Sequence, residues 1–256
     1  MSTGLRYLLV GVLLVLSVLI ARAPVSLLVA GFQEDGPARL IAPSGTIWRG
    51  EGTLHLRALG GMPGYLDAGR ASWRFRPADL LRGQLGFAVA LSGRDHALSA
   101  TVGIAPSTLF LTLDGSAESA FINPWLAAYD MWLAGAFQIA GWSLEAPLRS
   151  AAADAVVAGT QLDGRLEWTG GNVRYRLSGR DFSIQLPALA AKLGPGPVAA
   201  VREQASGTPL LVFSHTDTGF AKIELTQRFT ELAGTPWPGQ AEPGAVVLAV
   251  EEQLFW

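Results

Sequence analysis

Residues Arg70-Ala71-Ser72-Trp73-Arg74-Phe75-Arg76 decide the fold class. Ala71, Trp73 and Phe75 fall on one side of an extended chain, and Arg70, Ser72, Arg74 and Arg76 on the other. That is the period-two pattern of a strand with one buried face. Pro77-Ala78-Asp79-Leu80-Leu81-Arg82-Gly83 then reads as a helical turn closed by glycine. Upstream, Thr53-Leu54-His55-Leu56-Arg57-Ala58 alternates in the same way, and 43–52 reads as turn, short strand, turn. Downstream, Leu85, Phe87, Val89 and Leu91 alternate with small residues, and further strands are expected over 98–104 and 109–113. Short turns separate them, so this half is an antiparallel meander.

At 121–134 the period changes. Phe121, Trp125, Ala128, Tyr129 and Trp132 recur at helical spacing and predict one amphipathic helix capping the sheet. The second half then echoes the first: Gly164-Arg165-Leu166-Glu167-Trp168 repeats the Gly-Arg-x-x-Trp of Gly69 to Trp73, with both tryptophans on the apolar side. Alternation continues at 172–177 and 181–186. Short helices are expected at 189–193, ended by Gly194-Pro195-Gly196-Pro197, and at 198–204. The last strands are expected at 210–214, 219–227 and 245–251.

The N-terminal run 5–21 carries no charge after Arg6 and is aliphatic or aromatic apart from Gly11 and Ser17. Counted over 5–23 it reaches ~28 Å as a helix, close to a ~30 Å hydrocarbon core, with Arg6 and Arg22 near the interfaces. A cleaved signal peptide would use Ala21-Arg22-Ala23, but Pro24 directly after that site disfavours cleavage, and apolar residues resume at 25–30. The sequence therefore predicts an uncleaved, single-pass anchor over a buried soluble helix. Basic charge at its start places the N-terminus in the cytoplasm. The expected organisation is a tip and transmembrane anchor at 1–30, a linker at 31–43 and a periplasmic β domain at 44–256, with similar halves at 44–135 and 136–256. The fold class is mainly β: an N-terminal transmembrane helix, then a curved antiparallel sheet or sandwich with a few short helices.

Composition excludes several activities. A net charge of −2 without a Lys/Arg cluster argues against nucleic-acid binding. The absence of cysteine removes disulfides, thiolate catalysis and zinc–thiolate sites. His55, His96 and His215 stand on separate strands or turns without metal-ligand spacing and read as solvent-facing. Ser44-Gly45-Thr46 lacks the frame of a nucleophile turn, and Gly60-Gly61-Met62-Pro63-Gly64 lacks the lysine and helix of a phosphate loop. Asp67 and Asp163 sit beside glycines as turn residues, and Glu251-Glu252 is a solvated pair. Trp48, Trp73 and Trp168 read as core residues rather than sugar-stacking platforms. No catalytic, cofactor or metal site is expected, and no enzyme.

Taken together, the N-terminal anchor, Ser44-Gly45-Thr46-Ile47-Trp48-Arg49-Gly50, Ala71-Ser72-Trp73-Arg74-Phe75-Arg76-Pro77-Ala78-Asp79-Leu80-Leu81-Arg82-Gly83 and Gly164-Arg165-Leu166-Glu167-Trp168 resemble the type II secretion system protein N (general secretion pathway protein N) family. The resemblance implies a bitopic inner-membrane protein with a periplasmic β domain. Such a protein would be a non-enzymatic accessory of the machine that exports folded proteins across the outer membrane, and its partners would be the other subunits of that machine. The strand meander is also similar to AsmA-like lipid-handling proteins, whose curved sheets form an apolar groove with lipid as partner. A polysaccharide-binding module is the third reading. Alternation alone does not separate an open groove from a closed core.

Overall fold

The structure, a computed structural model, describes residues 3–29, 36–58, 64–148, 161–177, 179–194, 198–215, 220–239 and 242–253. The chain begins with helix α1 (Thr3–Ala21) and a single turn, α2 (Ser26–Val29). Strands β1 (Ala38–Gly45), β2 (Arg49–Arg57) and β3 (Tyr65–Arg76) follow, then a 3₁₀ turn (Pro77–Arg82), β4 (Leu85–Ser92), β5 (His96–Ile104) and β6 (Thr108–Glu118). After α3 (Ser119–Leu126) come β7 (Met131–Leu133), β8 (Ala136–Pro147), β9 (Gln161–Trp168), β10 (Gly171–Leu177) and β11 (Arg180–Leu186). The last elements are β12 (Leu189–Gly194), β13 (Val198–Glu203), β14 (Pro209–His215), β15 (Phe220–Thr226), α4 (Gln227–Leu232) and β16 (Val246–Gln253).

Thirteen strands form one antiparallel sheet in the order β1-β2-β3-β4-β5-β6-β8-β9-β12-β13-β14-β15-β16, and β11-β10-β7 form a second, smaller sheet. At ~4.8 Å per strand spacing the large sheet is roughly 58 Å across. Its register aligns a row of apolar and glycine positions across one face. Gly52, Ala71, Leu91, Leu98, Gly115 and Ile139 stand opposite one another from β2 to β8. The line continues through Leu166, Ala191, Val201, Leu211, Leu225 and Leu248 to β16. The bulges do not break it. Asp67 Oδ1 accepts the Gly69 N–H at 2.7 Å where β3 carries an extra residue, and the bulged β8 still sets Ile139 opposite Leu166.

Few apolar side chains are fully buried among the described residues: Val25, Ala68, Ala71, Ala117, Trp168, Val173 and Leu210. The accessible surface is 16098 Å², against roughly 10,800 Å² for a compact monomer of this mass. Exposed apolar side chains on α1 and on β16 contribute to it. Trp73, Phe75, Phe87, Val89 and Val102 are only half-buried on the apolar face. Farther on, α3 packs beside β6 and β7 and α4 beside β11, β14 and β15, and the small sheet faces Phe137, Leu166 and Trp168 across a cavity, while Ile223, Leu248 and Val250 on the last two strands stay 37–47% exposed.

Three local expectations are corrected. The helix expected over 121–134 stops at Leu126, and a 3₁₀ turn, Ala127–Tyr129, follows. Pro124 lies inside α3, Asp130 reverses the chain with a φ of 51°, and 131–133 pairs with β10 instead. The Asn123 side chain fastens that reversal, donating to Leu133 O at 3.0 Å and accepting its N–H at 2.9 Å. The helices expected at 189–193 and 198–204 are strands β12 and β13. Their alanine-rich sequence suits a helix, but Leu189, Ala191 and Leu193 also alternate, and ladder hydrogen bonds to β9 and β14 use that phase. The linker expected over 31–43 is in part β1, which starts at Ala38; residues 31–35 lie outside the described residues.

The helical turn closed by Gly83 is present, with Gly83 at a φ of 71°. Helix α1 has 19 residues, ~28 Å at ~1.5 Å per residue. Among the described residues no helix is long and apolar enough to cross a membrane.

We expect Leu210→Ala, at a position 2% exposed, to lower unfolding free energy by about 2–5 kcal/mol in urea titrations. Leu81→Ala, at 91% exposure, should change it by less than about 0.5 kcal/mol.

Candidate functional site

Two places concentrate specific contacts. The first is the junction between α1 and the sheet. Helix α1 ends before Pro24, and the chain lays 23–25 against the 45–48 turn: Ile47 N–H donates to Ala23 O at 3.0 Å, Val25 N–H to Gly45 O at 3.3 Å, and Pro24 bridges to Thr46. Thr46 Oγ1 accepts the N–H groups of Trp48 and Arg49 at 3.3 and 3.2 Å, shaping the turn. Trp48 Nε1 then reaches the last turn of α1, donating to Ile20 O at 2.6 Å, a carbonyl at the helix end that also accepts the Ala23 N–H at 3.2 Å. The Trp48 ring meets Phe75 edge-on, centroids 4.9 Å apart, and Trp73 Nε1 donates to Thr46 O at 3.2 Å. Gly50 lies under the Trp73 indole, where a Cβ would collide with it. Asp79, 5% exposed, anchors the following 3₁₀ turn through Arg76 Nε at 3.2 Å.

The second place is a cavity of about 550 Å³ between the two sheets. The large sheet contributes Phe137, Leu166, Trp168 and Val201, and the small sheet Leu133, Val173, Ile184 and Leu186. Phe229 and Ala233, on α4 and just after it, close one side. Among the described residues no charged side chain lines it. The Trp168 indole N–H is already committed to Ala134 O at 2.9 Å, and Tyr175 brings the other hydrogen-bonding side-chain group among the described lining residues. At the α4 end, Arg228 grips Glu203 with Nε and Nη2 at 3.3 and 3.4 Å, while Glu203 stands opposite Leu189 in register. The Arg228 guanidinium and the Ser206 hydroxyl, 2.9 Å from Oε2, hold the Glu203 carboxyl below its usual range. The pair raises Arg228 in turn.

A larger recess of about 760 Å³ opens on the polar face over β2–β6. Small residues, Ala88, Ala90, Ser99 and Thr101, form its floor, with Arg49 and Arg74 at one side and Asp114 at the other. Asp114 Oδ1 is occupied by the Gly141 N–H at 2.7 Å.

The histidines remain scattered. His55 is on β2, and the His215 side chain lies outside the described residues. His96 departs from its expected solvent-facing place. It is 9% exposed, stacked 3.9 Å from Phe121, and its Nε2 has no hydrogen-bond partner among the described residues. Among those residues no group of three His, Asp or Glu could hold a metal ion. Asp67 and Asp163 are strand residues bonding the N–H groups of Gly69 and Gly164, rather than turn residues. Trp168 is core at 7% exposure, whereas Trp48 and Trp73 are half-buried. Residues 60–63 lie outside the described residues. Trp168, expected in the core, lines the cavity, but the rest of its signal was the phase of Leu189 and Ala191, masked by their helical composition.

We expect Gly50→Val to cost about 1–3 kcal/mol in thermal melts, because the indole must move. Glu203 is lowered on folding, so its contribution is complete above its unfolded pKa, near 4.5, and is lost as pH falls through the folded value. Glu203→Gln should therefore be about 1–2 kcal/mol less stable at pH 7, and the gap to the wild type should close below that value. No protein-family model, no characterised protein and no solved structure matches the chain.

Proposed function

We propose that this chain is a non-enzymatic accessory component of a type II secretion machine. In this reading α1 tethers it to the bacterial inner membrane and the sheet stands in the periplasm. The observation that carries the reading is where the resemblance motifs fall. Residues 44–50 and 71–83 fold together as one junction at the foot of α1, with Trp48 bonded to Ile20 O and packed on Phe75. Trp48 joins helix to sheet while Trp73, Phe75 and Asp79 brace the strands and turn beside it, a mechanical role that fits a tethered scaffold and its subunit partners.

The tether is supported by α1 itself. Its apolar side chains from Val12 to Ile20 are 47–63% exposed, and the Ser17 hydroxyl is satisfied inside the helix by Leu13 O at 2.8 Å. At ~28 Å the helix falls slightly short of the hydrocarbon core, so the reading needs Arg22 to reach the interface or the bilayer to thin locally.

One observation favours a second reading, an AsmA-like lipid handler. The apolar line runs from Gly52 to Leu248, and beside it on the same face Trp73, Phe75, Phe87, Val89 and Val102 are only half-buried. Deleting the gene separates the two. On the secretion reading, exported enzymes accumulate in the periplasm while outer-membrane permeability is unchanged. Normal secretion with a permeability defect would replace it with lipid handling.

A further inference from the structure

We infer that the cavity between the two sheets is a binding site for one acyl chain of a membrane phospholipid. This holds whether the chain serves secretion or lipid handling, because it rests on the cavity and on the path that leads to it.

The lining selects the ligand class. Facing side chains such as Phe137, Leu166, Val173, Ile184 and Leu186 offer contact to a hydrocarbon and no partner for a charge. Any buried polar group on a ligand would lose its water without compensation, apart from one reaching the Tyr175 hydroxyl. A saturated chain has no such group, so the headgroup stays outside. The volume, about 550 Å³, lies within the ~300–1,000 Å³ of small-molecule sites.

The surroundings name the source. Leu166 belongs both to the cavity wall and to the apolar line that starts at Gly52 on β2. Gly52 is two residues from Gly50, which packs under Trp73 at the α1 junction. An apolar row therefore runs from the foot of the exposed N-terminal helix, along β3–β6, to Leu166 on the cavity wall, with α3 packed beside β6 where the row nears the cavity. A chain leaving a bilayer at α1 would meet apolar register positions along that row. Helix α4 closes the far side, and the Arg228–Glu203 pair holds it there.

The test uses the full chain reconstituted in vesicles of phosphatidylethanolamine and phosphatidylglycerol. These vesicles contain a phosphatidylethanolamine with a photoreactive group at the end of one acyl chain. After irradiation, mass spectrometry locates the label. The expected result is label on cavity residues such as Phe137, Leu166 and Leu186. Ala191→Trp, which fills the cavity from the large sheet, should cut that label at least about tenfold while label on α1 is unchanged. Ala233→Trp fills it from the α4 side and gives an independent variant should the first fail to fold, as read by circular dichroism. Label confined to α1, or cavity label undiminished in a folded filled variant, overturns the site. Either result leaves the secretion phenotype of a gene deletion to stand or fall separately.

Discussion

Everything in this protein hangs on the strand register of one very wide sheet. Side chains alternate strictly along a strand, so a one-residue slip between any two neighbours would carry every following apolar residue to the wrong face. The bulges in β3 and β8 each restore the phase after an extra residue. As a result Gly52 and Leu248, eleven strand spacings apart, sit on the same line.

A single sheet with one apolar face is an incomplete structure unless something covers that face. Here the cover is uneven. The middle of the sheet receives α3, the small sheet and α4, while the first strands are left to side chains that shield one another and the last two leave Ile223, Leu248 and Val250 exposed. The surface area reflects this, at about half again the value for a compact chain. The covered half has its own irregularity, because the two layers enclose a cavity where a well-packed sandwich would interdigitate. Ion pairs matter at the margins. Arg176–Asp181 is exposed and adds little, while Arg228–Glu203 joins α4 to the sheet beside the cavity.

The junction at α1 uses different physics. Carbonyls at a helix end have lone pairs to spare, and Trp48 gives Ile20 O a second donor beside the Ala23 N–H while its ring packs on Phe75. A glycine at position 50 is then required by space, since the Trp73 ring lies against it. These contacts give residues 44–50 and 71–83 a joint structural task.

The sequence by itself determined the β class, the strands through Trp73 and Trp168, the turn closed by Gly83 and the apolar N-terminal helix. Each of these is written in local periodicity, where period two and period 3.6 are distinguishable over a few residues. It also carried the motifs that meet at the junction, though not the fact that they meet. Only the tertiary structure decided that 189–194 and 198–203 are strands, that β9 pairs with β12 while β10 and β11 leave to form a second layer, and that β8 exists at all. Those outcomes depend on partners far along the chain. For the alanine-rich segments, ladder hydrogen bonds to β9 and β14 outweigh a local helical preference of a few tenths of a kcal/mol per residue. The cavity was invisible for the same reason: its walls come from eight separate elements, and no local pattern records that they converge.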